Sequence, residues 1–245
     1  MQFYGIDVAA QPKNTGLARL RDDDDILRVE AVEIGLRDDQ LIQAVQDADI
    51  TGVDVPFGWP ASFIQMLQDH ANATLQAPDI TDHAWRRQLA MRATDLDVHQ
   101  RTGLTPLSVS TNLIAYPAFR WAAIEARLRE LGVDMARDGS GSVAEVYSAA
   151  ALYCWGLPHR KYKGPQHVYA RQTIVAGLQQ VFPTLDWNGF ESCVIGDDNA
   201  LDAVLAGLIT HQIAAGQCYG PAPHQRPTAR IEGWIWIPHA RTSTG

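Results

Sequence analysis

Asp7 and Asp54 are the residues of this chain best placed to do chemistry together. They sit in two short apolar runs, Phe3-Tyr4-Gly5-Ile6-Asp7-Val8 and Thr51-Gly52-Val53-Asp54-Val55-Pro56. A carboxylate in such a run is expensive to bury unpaired. If the two runs are neighbouring strands, the charges repel by about 4 kcal/mol at ~4 Å and an effective dielectric of ~20. A divalent cation relieves both costs, so the pair points to a metal seat. Taken singly, each has a plainer reading, Asp7 as a hairpin contact and Asp54 as a turn-former before Pro56.

Three further carboxylates could join them. Glu145 lies inside Val143-Ala144-Glu145-Val146-Tyr147 and is a candidate metal ligand or general base, or else a surface residue of an edge strand. Asp198 and Asp202 are four residues apart at the start of a long apolar helix and share one face. Asp197 and Asp198 fall where the helix dipole favours negative charge, which also offers Asp198 a capping role. Asp202 is flanked by Leu201 and Ala203-Val204-Leu205, close to the apolar side, and calls for a cationic partner. Aspartates without clustered histidines or spaced cysteines suit Mg²⁺ or Mn²⁺ better than Zn²⁺. Two such ions about 3.5–4 Å apart can activate a water and stabilise the leaving oxygen of a phosphodiester.

A phosphate substrate also needs protein cations. Lys13 falls in the turn just after Asp7 and is well placed for one. Arg160-Lys161-Tyr162-Lys163-Gly164, with Arg171, is the densest basic stretch, and Lys161 and Lys163 are its candidate contacts. Arg86, Arg87, Arg92 and Arg101 form a second set. Both sets also read as solvated helix faces, and Arg92 with Asp95 one turn on reads as a structural ion pair. Trp59, Trp85, Trp121, Trp234 and Trp236 read as core rather than as stacking platforms for bases.

The elements that must position these residues follow from periodicity. Residues 2–8, about 15–21, and 26–34 read as strands, the last two joined by Asp22-Asp23-Asp24-Asp25, a solvated turn. Asp38 to Asp47 has helical spacing, and 50–55 is a fourth strand closed by Pro56 and Gly58. Residues 60–138 are largely helical. Val143 to Tyr147 is a fifth strand, with helices at about 148–155 and 166–181. Asn199 to Ala215 reads as an amphipathic helix, with Leu201, Val204, Leu205, Leu208, Ile209 and Ile213 on one side. Ile231 to Pro238 reads as extended. The order β-β-β-α-β, helical insertion, β, late helix matches a ribonuclease H-like α/β fold: a mixed five-stranded sheet flanked by helices, one domain over 1–245. In that fold Asp7 and Asp54 are neighbours at one sheet edge, where ligands bind in open α/β sheets.

Bulk properties narrow the classes. The 245 residues are 46% hydrophobic and 20% charged, which excludes a disordered chain. No apolar stretch approaches the ~18 residues of a membrane span, and the start shows no signal peptide. Cys154, Cys193 and Cys218, odd in number and without metal-ligand spacing, read as reduced thiols of a cytoplasmic protein. A net charge of −8 argues against a general nucleic-acid coat, though not against an enzyme that meets phosphates through metal ions.

Gly5-Ile6-Asp7-Val8-Ala9, Gly52-Val53-Asp54-Val55-Pro56-Phe57-Gly58, Arg92-Ala93-Thr94-Asp95, Glu145-Val146-Tyr147, Asp198-Asn199-Ala200-Leu201-Asp202-Ala203 and Glu232-Gly233-Trp234-Ile235 resemble, in order, the motifs of domain-of-unknown-function family 429. That family is described as predicted nucleases of ribonuclease H-like fold. Its proline after the glutamate-valine-tyrosine motif is Ser148 here. The Asp198/Asp202 helix also resembles the last catalytic helix of Holliday-junction resolvases. The resemblance implies Asp7, Asp54 and Asp202 as metal ligands, with Glu145 or Asp198 completing the set, and a nucleic acid as substrate. Two other readings stand beside it. An actin-like ATPase or phosphotransferase usually has a glycine-rich hairpin where this chain has Val8-Ala9-Ala10-Gln11-Pro12, and no P-loop or dinucleotide fingerprint appears. A non-catalytic module would keep the acidic pocket for binding alone.

Overall fold

The computed structural model describes residues 1–23 and 25–240. Asp24 of the acidic turn lies outside the described residues, as do residues 241–245. The chain runs β1 (Gln2–Asp7), β2 (Gly16–Asp23), β3 (Ile26–Ile34), α1 (Asp38–Asp47) and β4 (Ile50–Asp54). Four helices follow: α2 (Ala61–Ala71), α3 (His83–Ala90), α4 (Ala93–Thr102) and α5 (Ala115–Glu130). Then come β5 (Val143–Val146), α6 (Ser148–Cys154), α7 (Val168–Val181), β6 (Leu185–Asp186), α8 (Glu191–Gly196) and α9 (Asp198–Ala214). The last elements are β7 (Cys218–Tyr219), α10 (Arg226–Glu232) and β8 (Ile235–Pro238).

The sheet has eight strands in the order β6-β3-β2-β1-β4-β5-β8-β7, not five. Strands β6 and β7 have two residues each, too few to show an alternation in sequence. The extended reading from Ile231 begins too early, because α10 continues through Glu232 and Gly233 ends it with φ 88°. Strand β1 runs antiparallel to β2 and parallel to β4, and β4, β5 and β8 continue in parallel.

Alternation along the strands explains both faces. On β1, Phe3 enters one core with α9, whereas Tyr4 and Ile6 enter the other with Leu41 and Val45 of α1 and Trp121 and Ile124 of α5. Gly5 and Asp7 therefore share the α9 side with Phe3. Gly5 and Gly52 are register partners on β1 and β4, and a Cβ on either would collide with the backbone of α9. Their bareness is what lets α9 lie directly on the sheet. The helix is correspondingly buried from Ala200 through Thr210 on all sides, rather than amphipathic. Covering it on the outside are α6 and α8.

Candidate active site

Strand register decides which carboxylates meet. Asp7 and Asp54 are paired residues at the C-terminal ends of parallel β1 and β4. Two residues before them lie Gly5 and Gly52, so both aspartates project to the side on which α9 rests. Asp202 reaches the same place from the second turn of α9 and is fully buried. The edge is the floor of a cavity of about 410 Å³, lined among others by Asp7, Asp54, Tyr147, Tyr162 and Lys163.

Each carboxylate has a different neighbourhood. Asp202 Oδ1 accepts from the Tyr162 hydroxyl at 2.9 Å, and its Oδ2 is 2.6 Å from Lys163 Nζ. Lys163 is the cationic partner that the position of Asp202 in sequence demands. Asp54 Oδ2 accepts from the backbone N–H of Ser148 at 3.0 Å, at the first turn of α6. Asp198 Oδ1 accepts from Gly164 N at 3.1 Å. The cap of α9 is Asp197 instead, accepting from Asn199 N and Ala200 N. Asp7 is the exception. No described residue donates a hydrogen bond to its carboxylate.

The electrostatics follow from that crowding. Burial holds the Asp7 carboxyl well above the usual carboxylate range, and Asp202, Asp54 and Asp198 add to it while Lys163 opposes. Burial likewise raises Asp202 against the pull of Lys163, with Asp54 raising it further. The Lys163 ammonium is held above its ordinary value by Asp202 first, then by Asp7 and Asp54. Tyr162 is pushed far up by burial and by Asp202, so it stays a neutral donor. One ammonium faces four carboxylates, and the deficit of positive charge centres on Asp7.

Glu145 and Arg92 line the same cavity, but Glu145 does not join the aspartate cluster. On β5 it pairs with Val53, the neighbour of Asp54, and so projects to the opposite side of the sheet. There its two oxygens accept from Arg92 at 2.9 and 2.7 Å, and Oε2 also accepts from Phe57 N. Burial works against the charge of both partners. Glu145 is raised by it, while Glu145 and Asp95 together hold Arg92 firmly protonated. Arg92 also bonds Asp95 and the carbonyl of Glu232, leaving a phosphate little to take. Its sequence reading as an ion pair with Asp95 is correct and incomplete, because Glu145 is the third member. The Glu232 carboxylate in turn accepts from Ala61 N and Ala93 N, the first residues of α2 and α4. This network fastens the helical segment to the sheet.

The candidate phosphate cations divide similarly. Lys161 and Lys163 line the cavity with the aspartates. Lys13 is exposed on a 3₁₀ turn (Pro12–Asn14) and does not line it. Arg171 is fully buried and donates to the carbonyls of Tyr162, Gly164, Ile195 and Gly196. It pins the Lys163 loop against the α8–α9 junction. Sequence reasoning missed Tyr162 and the Ser148 N–H as partners of the aspartates. The signal for Tyr162 was its place between the two lysines, and the N–H leaves none.

A cation-seat fit can be judged from these contacts. Asp7 and Asp54 present hard oxygens side by side, and Asp7 lacks a donor among the described residues, which suits a Mg²⁺-type ion held by one or two carboxylates and waters. Among the described residues no three Asp, Glu, His or Cys side chains are arranged to hold a metal ion. Asp202 is occupied by Lys163 and Tyr162, so it joins the pair only if Lys163 moves. With 60% of its side chain exposed, Lys163 has room to do so.

The family model for a protein of unknown function (DUF429) matches residues 5–226. The chain belongs to the DUF429 family. In this DUF429 chain the match takes in Asp7, Asp54, Asp198, Asp202 and the Lys163 loop and stops before β8. No curated protein and no solved structure is significantly similar to it. No described helix is long and apolar enough to cross a membrane.

Proposed function

We propose that the acidic edge is the centre of a divalent-metal-dependent nuclease hydrolysing phosphodiester bonds. The observation that carries this reading is the in-register pair Asp7–Asp54 flooring a cavity, with no donor to Asp7 among the described residues. The strand order β3-β2-β1-β4-β5, with β2 reversed, supports a ribonuclease H-like core enlarged by three strands. Mg²⁺ or Mn²⁺ held by Asp7 and Asp54 would supply an activated water and a counter-charge for the leaving oxygen.

The protein's own groups have distinct tasks. Asp7 and Asp54 would hold the metal ion through their carboxylate oxygens, side by side at the ends of β1 and β4. Tyr162 and Arg171 fix the loop carrying Lys163. Lys163 neutralises Asp202 at rest and offers its ammonium to a phosphate oxygen when substrate enters. Lys161 on the same wall offers a second positive charge. Asp198 steadies the loop through Gly164. Glu145 acts by fixing Arg92 in the cavity wall.

The test is a turnover screen. Labelled single-stranded, hybrid and branched nucleic acids should be cut with Mg²⁺ or Mn²⁺ and not in EDTA, and Asp7→Asn and Asp202→Asn should abolish cutting. Phosphate release from ATP with the polynucleotides untouched would replace the nuclease by an actin-like ATPase. No turnover under any metal would leave a binding module.

A further inference from the structure

A second cavity opens beside the first. It measures about 450 Å³, and Pro106 and Leu107 line both, forming the ridge between them. Its walls carry His83, Arg86 and Arg87, all from α3 and all exposed. Spacings of three and four residues place them on one helix face. Opposite stand Thr105, Thr111 and Asn112. Asn112 fixes its oxygen on Ser108 N–H, which turns its amide NH₂ into a further donor on that wall.

The arginines there are unlike their neighbours. Between residues 83 and 138, Arg92, Arg101, Arg120, Arg127, Arg129 and Arg137 each pair with a carboxylate. Arg86 and Arg87 have no carboxylate partner among the described residues, and Arg86 donates only to the carbonyl of Thr81. In a chain of net charge −8, these two adjacent guanidinium groups face a cavity without a carboxylate partner among the described residues, and present charge that an external anion can match. Guanidinium matches phosphate with two parallel hydrogen bonds, and hydroxyls and an amide complete such a seat.

We infer that the Arg86–Arg87 cavity is a second phosphate subsite, so that the substrate is an extended phosphodiester strand draped over the Pro106–Leu107 ridge. This rests on the nuclease reading for the first cavity and adds the substrate's minimum size to it. A mononucleotide or a simple phosphate ester would leave the second cavity empty. Leu107, 60% exposed at the crest, presents an apolar surface to a base or sugar between the two phosphates.

Binding of a fluorescein-labelled single-stranded oligonucleotide, measured by anisotropy across a salt series in Mg²⁺, tests this separately from catalysis. The measurement uses the full chain carrying Asp7→Asn to prevent cutting. Adding Arg86→Ala with Arg87→Ala should weaken binding about tenfold and lower the salt slope by roughly 0.7 per lost single-strand phosphate contact. Arg86→Lys with Arg87→Lys should restore most of the slope, and Arg127→Ala, on a remote ion pair, should leave binding as it was. Unchanged affinity and slope in the double alanine variant would overturn the subsite even if the wild-type chain cuts nucleic acid. An equal loss with Arg127→Ala would overturn it too, since general charge would then explain the binding. A specific loss in a chain that cuts nothing would keep the subsite and remove the hydrolytic reading.

Discussion

Lys163 Nζ lies 2.6 Å from Asp202 Oδ2, closing the acidic edge with the protein's own cation. The ammonium is carried on a side chain exposed enough to leave. The site is therefore arranged as an exchange between an internal cation and an incoming one.

Removing that cation should expose the balance. Lys163→Ala leaves a buried carboxylate with only the Tyr162 hydroxyl, a loss of about 1–3 kcal/mol. Solvent screening of the exposed lysine puts the effect at the lower end. Denaturant unfolding with and without Mg²⁺ checks it. The variant should recover more stability from Mg²⁺ than the wild type does, and equal recovery would mean that Lys163 does not compete for the seat.

Asp7 makes a pH prediction. Its folded-state carboxyl is raised above the ordinary 3.8. Above that ordinary value the unfolded chain has released a proton that the native state still holds, so stability falls as pH climbs until the raised value is passed. Asp7→Asn removes this loss. Without divalent ions the variant should melt higher than wild type at pH 7, and the gap should shrink toward pH 4. A variant that melts lower at pH 7 would contradict the electrostatics described here.

The glycine floor is open to a steric test. Gly5→Val or Gly52→Val drives a side chain into the α9 backbone and should cost about 1–3 kcal/mol or more by overpacking. Gly196→Ala meets nothing within 4 Å and should change stability little. Chemical denaturation midpoints of the three variants make the comparison.

Ser148 offers a gain. It is the first residue of α6, a position that accepts proline, and the preceding Tyr147 is already extended at φ −141° and ψ 102°. Ser148→Pro deletes the N–H that bonds Asp54 Oδ2. Losing the bond to a carboxylate should cost about 1–3 kcal/mol in the metal-free protein, and Mn²⁺ affinity should rise severalfold because Asp54 regains an oxygen. Calorimetric titration would show this, and unchanged affinity would mean that the Ser148 N–H does not compete with a metal ion for Asp54 Oδ2.

The buried Arg92 network should behave as a unit. Arg92→Met alone strands Glu145 and Asp95 and should cost about 3–5 kcal/mol. Combined with Glu145→Leu the loss should be smaller than the sum of the single losses by about 0.5–3 kcal/mol. Additive losses in a double-mutant cycle would show that the two residues do not share one network.

Much of this architecture is legible in sequence, for identifiable reasons. Strand runs as clear as Phe3–Val8 and Ile26–Ile34 carry their period openly, and Asp202 amid apolar residues announces a missing cation. Register is not written that way. Whether Glu145 lands beside Val53 or beside Asp54 is a one-residue question that decides which face it joins, and nothing local to 143–147 answers it. Backbone donors such as Ser148 N–H have no residue-type signature at all. The two-residue strands β6 and β7 exist through pairing with distant partners, β3 and β8, so their short runs show no strand of their own.

The most direct measurement is a Mn²⁺ titration of the wild-type chain, Asp7→Asn and Asp54→Asn by calorimetry, with electron paramagnetic resonance to count free ion. Binding in the wild type, weakened about tenfold or more by either substitution, is the expected result. Absence of Mn²⁺ binding in the wild type, or equal binding in all three, would show that these paired strand-end carboxylates do not form a cation seat.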